Sequence, residues 1–391
     1  MATKVHRRRG RMFGRKNSVA IKVIGWVVLI GLCGAAGYGL TLLRHNTPSD
    51  PAASTPSETS QTTAPSDPAA ATTTAATEPA PARPAALNAA AVALSELREA
   101  DARATRLDAL KQQGCNAVIF DLKSADGVLY YAFTGASAQK ARTVDEKALT
   151  AEELNALLTD CADREITPIP RLFAFEDSDA PSRLKDARIN WSGDRATLWL
   201  DAKAANGGKP WLNPYAAAAH TYLLELVSEL KAAGVSSLLL DGVRFPPNDY
   251  QAYFGTDDQT AETYAQVLTR FVSEVKETLG EDSRLYLAAN LTAATGSDTA
   301  IYGGNPVTFG ADAVCPWVNT AVLESFMTVA ADTAEAITTP QQALKHALSV
   351  VDTRLSFVEG AKPQIVPLFD AATASLAAEL TDGTGRIVTL S

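Results

Sequence analysis

Histidine is scarce in this sequence: His6, His45, His220 and His346 are the whole set in 391 residues. The first two precede the globular part and the other two fall in helical patterns, so a histidine-based metal centre of the metallohydrolase or deacetylase kind lacks its ligands. Cysteine is as sparse. Cys33 lies in an apolar N-terminal run, and Cys115, Cys161 and Cys315 are odd in number with no C-x-x-C spacing, so they read as small buried residues. No G-x-G-x-x-G, P-loop or G-x-S-x-G pattern occurs, which removes the common nucleotide-binding fingerprints and the serine-hydrolase elbow. Neither a metal nor a cofactor is expected.

Negative charge is missing from the start of the chain. Residues 1–22 carry eight Lys or Arg and no acid, and taking these from the whole-chain charge of −9 leaves −17 for the rest. So acidic a globular part repels phosphate backbones, and no nucleic-acid partner is expected. Residues 23–43 contain no charge at all. As a helix rising about 1.5 Å per residue they span the roughly 30 Å hydrocarbon core of a bilayer. The run is longer than the roughly 7 to 15 apolar residues of a cleaved signal peptide. The basic flank places the N-terminus in the cytoplasm. The expectation is a single-pass anchor in the cell membrane with the C-terminal part outside the cell.

Residues 44–86 are dominated by Thr, Ser, Ala and Pro, with almost nothing apolar to bury, and read as a disordered linker. From residue 87 to 391 short apolar runs alternate with helical patterns. The strands read as AAVAL (90–94), NAVIFDL (116–122), ITPIPRLFAF (166–175), SSLLLDGVRF (236–245), RLYLAANL (284–291), DAVCPWV (312–318), QIVPLF (364–369) and RIVTL (386–390). Helical periodicity lies between them, and two helices end at Gly234 and Gly280. Eight strands alternating with helices predict an α/β fold, a (β/α)8 TIM barrel. The stretch from 176 to 214 is expected to be an insertion on the functional face.

Active sites of such barrels form at the C-terminal ends of the strands. Those ends supply Asp121, Lys123, Arg171, Glu176, Asp177, Asp241, Arg244, Asn290, Asn319 and Asp370, a set dominated by carboxylates and amides. With Trp191, Trp199, Trp211, Tyr215, Phe245 and Trp317 nearby in sequence, this chemistry suits sugars, whose apolar faces stack on rings while their hydroxyls bond to acids and amides.

Four blocks in order, NAVIFDLKSADGVLYY, ITPIPRLFAFED, WLNPY and LLLDGVRFPP, resemble the glycoside-hydrolase-like TIM-barrel family designated DUF4015. That family carries D-x-K, I-x-R-x-x-x-F-x-D, W-x-N-P-Y and F-D-Y-x-R-F-P blocks. The resemblance covers roughly residues 88–391 and is strongest between 116 and 247. It implies a pocket lined by Asp121, Lys123, Arg171, Asp177, Trp211, Asn213, Tyr215, Asp241 and Arg244. It also implies that Asp241 ends the fourth strand, where related retaining glycosidases often hold their nucleophile. A nucleophile must be held ionised, and Arg171, Arg244 or Lys123 are the cations that could do so. The later strands depart from the family: AANLTAA offers Asn290 rather than an acid, and CPWVNTA and VPLFDAA replace the usual sixth and seventh blocks.

The resulting expectation is a membrane-anchored glycoside hydrolase acting on a cell-surface or extracellular polysaccharide. Asp241 is its principal carboxylate, Asp177 or Asp370 the acid/base, and Asn290 and Trp317 join the substrate-binding residues. The competing reading is a glycan-binding pseudoenzyme of the cell wall. Structural roles are also open: Asp241 with Arg244 as an ion pair fixing a turn, Asp121 and Lys123 capping a loop, and Trp211 and Tyr215 packing at a helix start.

Overall fold

The computed structural model describes residues 86–329, 336–380 and 383–390. The basic segment, the expected span at 23–43 and the linker to residue 85 lie outside the described residues. Among the described residues no helix is long and apolar enough to cross a membrane.

Eight strands close into a parallel barrel. They are β1 (Asn88–Ala91), β2 (Ala117–Lys123), β3 (Thr167–Phe173), β4 (Ser237–Asp241), β5 (Arg284–Asn290), β6 (Ala313–Val318), β7 (Gln364–Ile365 and Leu368–Phe369) and β8 (Arg386–Thr389). Each pairs with its neighbour in chain order, and β1 closes the ring by pairing with both β2 and β8. β7 is split in two around Pro367, which has no N–H to give a ladder. With its helices this is the (β/α)8 TIM barrel expected from the alternation of patterns.

Two apolar layers hold it together. Inside the barrel lie Ala89, Ala91, Ala117, Ile119, Ile169, Leu239, Tyr286, Ala288, Ala313, Cys315, Leu368 and Ile387. The residues between them in sequence, such as Val118, Phe120, Leu172, Leu238, Leu240, Leu285, Leu287 and Val314, face the helices. This is the period-two alternation of a strand buried on both faces.

The helices begin where their sequences say they should. Thr150, Thr263 and Thr339 each cap a helix, accepting a backbone N–H three residues on, with Glu153, Gln266 and Gln342 completing capping boxes. Helix Tyr264–Leu279 buries Val267, Leu268, Phe271, Val272, Val275 and Leu279 on one face. Each such side chain is worth roughly 1.5 to 3 kcal/mol when fully buried. Phe271 packs against Phe175 and His220. His220 itself is a core residue, bonded to Glu274 and to the carbonyl of Pro214.

The expected insertion forms a cap. Asn190–Trp191 pairs antiparallel with Asp194–Leu198 and with Ala252–Tyr253, so the loops after β3 and β4 join in one small sheet. The cap has its own core of Ile189, Trp199 and Trp211.

Candidate active site

The alternation that sends Ile119, Ile169, Leu239, Ala288, Cys315 and Leu368 into the barrel continues upward. It brings Asp121, Arg171, Asp241, Asn290, Trp317 and Asp370 to the same side at the C-terminal mouth. Trp317 packs against the interior cluster.

Arg171 organises the mouth. Its Nε and Nη2 grip Asp121 bidentately at 2.5 and 3.0 Å. Its Nη1 lies 3.8 Å from Asp241 Oδ2. The guanidinium also sits 5.1 Å from the Phe173 ring centre and 5.9 Å from that of Trp317, so aromatic faces as well as carboxylates hold it.

Asp241 ends β4 and is only 8% exposed. Its Oδ1 accepts the Gly242 N–H at 2.7 Å, while Oδ2 is buried without a hydrogen-bond partner. Burial pushes its pKa up. Arg171, the Gly242 N–H and Arg244 pull it back, the charge of Glu176 adds to the rise, and burial wins. The cations expected to hold Asp241 ionised thus offset only part of the cost of burying its charge. Nor does Asp241 form the turn-fixing pair with Arg244.

Arg244 bonds instead to Glu176, Nη2 to Oε2 at 2.7 Å. Its guanidinium lies 4.9 Å from the Trp211 ring centre, and Trp211 Nε1 donates to Asp201 Oδ2 at 3.0 Å. Gly242 leaves room for the Glu176 side chain. Its φ is +63°, and a Cβ there would meet the Glu176 Cβ at 3.0 Å.

Several residues expected in the pocket lie elsewhere. Lys123 and Asp177 meet at 2.9 Å and neither side chain has any exposure. Lys123 also donates to the carbonyl of Phe173, and Asp177 Oδ1 accepts the N–H groups of Asp179 and Ala180. The structure thus places the expected acid/base Asp177 and sugar ligand Lys123 away from solvent, paired with each other beside the loop that leaves β3. The W-x-N-P-Y block is also structural. Trp211 and Asn213 are buried, Asn213 Nδ2 donates to the carbonyl of Phe254, and Tyr215 donates to that of Glu262. These bonds tie the two cap loops together, in place of the expected sugar-facing wall.

Asp370 stands at the mouth but caps its own loop, its Oδ1 accepting from the Thr373 N–H and hydroxyl at 2.9 and 2.7 Å. At Asn290 the backbone N–H donates to the Tyr302 hydroxyl, which burial pushes up to about 12. Among the described residues no group of His, Cys, Asp and Glu is placed to hold a metal ion. A cavity of about 780 Å³ opens at the opposite end of the barrel beside Arg284, Asp312 and Gln364, and no strand-end carboxylate lines it.

Residues 90–376 match the family DUF4015, described as "Putative glycosyl hydrolase domain". The chain belongs to this family, and its barrel is a glycoside-hydrolase-like domain. No curated protein gives a significant match. Among solved structures it is similar to a hypothetical protein from Ruminiclostridium thermocellum, at 20% identity over 50% of this chain and 95% of that one, with a TM-score of 0.43. It is similar to a GH20 exo-β-N-acetylglucosaminidase from Vibrio harveyi at 10% identity and a TM-score of 0.43. A Flavobacterium johnsoniae chitobiase gives 13% identity and a TM-score of 0.45. The latter two alignments cover 74% and 79% of this chain but only 42% and 44% of those proteins.

Proposed function

We propose that the protein is a glycoside hydrolase that cleaves a cell-surface or extracellular polysaccharide, held at the cell membrane by residues 23–43, with Asp241 as its proton donor. The observation that carries this reading is the Asp241 carboxyl itself. Its pKa is raised by burial, its Oδ2 accepts no hydrogen bond, and it stands at the strand-end mouth of a glycoside-hydrolase-like barrel. Cleaving a glycosidic bond requires a carboxyl that is still protonated near neutral pH, to give its proton to the departing oxygen. Arg171 and Asp121 orient sugar hydroxyls beside it, and Trp317 offers the ring face on which a pyranose stacks.

A second reading, a glycan-binding protein that does not cleave, draws on the bonds that occupy the other acid candidates. Asp177 is sealed from solvent and Asp370 caps a turn. Replacing Asp241 by Asn separates the two. A hydrolase loses polysaccharide cleavage and keeps its fold, whereas a binding protein has no cleavage to lose.

A further inference from the structure

A lone proton donor does not complete a glycosidase, because a second carboxyl group must act on the opposite face of the sugar. We propose that Glu176 is that group: the ion-paired carboxylate that activates water at the anomeric carbon while Asp241 protonates the leaving oxygen. This rests on the hydrolase reading of the mouth and gives the partner role to Glu176 in place of Asp177 or Asp370.

Three observations carry it. The pairing of β3 with β4 continues past the strand ends through Ala174 N to Asp241 O at 2.7 Å and Phe175 N to Gly242 O at 3.2 Å, which delivers the next residue, Glu176, beside Asp241. There the Glu176 side chain packs against Gly242, the residue after Asp241, and remains 30% exposed. Among the described residues its one hydrogen-bond partner is Arg244, on Oε2, and Arg244 is itself placed against the Trp211 ring. The other candidate acids fail on the same criteria, since Asp177 is sealed and Asp370 holds a turn. Asp121 has both oxygens in the Arg171 fork.

The step balances without any further reagent. Asp241 gives its proton to the glycosidic oxygen as the bond from that oxygen to the anomeric carbon breaks. A water oxygen bonds to the same carbon, and the water proton passes to Glu176. The products are an alcohol and a hemiacetal, and proton exchange with solvent returns Asp241 to its acid form and Glu176 to its carboxylate.

The test uses the full-length protein, Glu176→Ala, Glu176→Gln and Asp241→Ala, assayed on a panel of 2,4-dinitrophenyl glycosides with and without sodium azide. Dinitrophenolate leaves without a proton, so Asp241→Ala retains much of its rate on these substrates. Glu176→Ala and Glu176→Gln lose about 10²- to 10⁴-fold in kcat. Azide, a nucleophile that needs no base, restores turnover in Glu176→Ala and gives a glycosyl azide. Thermal unfolding identifies any variant that fails to fold, and Glu176→Gln keeps the side-chain volume. A folded Glu176 variant with near wild-type rate, or one whose lost rate azide does not restore, overturns the assignment while leaving the hydrolase reading intact. Wild-type protein that hydrolyses none of the glycosides and releases no reducing ends from polysaccharide overturns that reading and this assignment with it.

Discussion

Lys123 Nζ and Asp177 Oδ2 meet at 2.9 Å in a pair with no solvent exposure, one residue away from the half-buried Glu176. Both charges have left water, so the pair contributes little against an apolar equivalent, but breaking it strands one uncompensated charge. Lys123→Met is therefore expected to destabilise the protein by about 3 to 5 kcal/mol. A double variant, Lys123→Met with Asp177→Leu, should recover a large part of that loss. Urea unfolding checks both, and a single variant within about 1 kcal/mol of wild type contradicts the role assigned to the pair.

Gly127 is the lid over this pair. Its φ is +89°, and a Cβ at that position would fall 2.1 Å from Asp177 Oδ1. Gly127→Ala is expected to cost about 2 kcal/mol or more, from the left-handed backbone together with the displaced carboxylate. Chemical denaturation of the variant measures it.

The raised pKa of Asp241 has a stability consequence with a definite sign. A carboxyl whose folded-state pKa exceeds its ordinary value of 3.8 favours the fold while it is protonated in both states. That contribution is lost as pH rises through the folded value, because the charged form is poorly solvated in the fold. Asp241→Asn removes the titration. The variant should therefore match wild type near pH 3.5 and be the more stable of the two at pH 8. Thermal unfolding at the two pH values tests this, and a variant equally unstable at both contradicts it.

Arg171 opposes the rise at Asp241, so removing its charge should push that carboxyl higher. With Asp241 as proton donor, its deprotonation sets the alkaline limb of kcat/KM. Arg171→Met is expected to move that limb to higher pH, alongside a loss of rate from the freed Asp121. Rate profiles from pH 4 to 10 resolve the shift, and an unmoved limb would separate Arg171 from Asp241.

The barrel was legible in the sequence because its signal is repetitive. Each strand is an apolar run with a polar end, and each observed strand falls on or within a residue or two of its run. β4 stops earlier than its run suggests, at Asp241, where Gly242 turns the chain. The site was only half legible. Motif spacing names the residues but not their partners, and the fold sorts the D-x-K and R-x-x-x-F-x-D blocks into two ion pairs across β2 and β3. Asp121 with Arg171 faces the mouth and Lys123 with Asp177 faces the core. Glu176 and Asp177 are adjacent acids that no linear pattern separates. The strand alternation breaks at Ala174 and Phe175, which both join the helix-facing core, and past this break Glu176 keeps partial access to solvent while Asp177 is buried. The aromatic wall expected from Trp199 and Trp211 became cap core because those rings found each other across the inserted loop.

Release of reducing ends from purified cell-wall and extracellular polysaccharides, compared between the full-length wild-type protein and Asp241→Asn, tests the central claim most directly. The expected result is cleavage by wild type and a loss of about 10²-fold or more in the variant, with the variant's cooperative unfolding transition retained. A folded Asp241→Asn protein that cleaves as fast as wild type would contradict it.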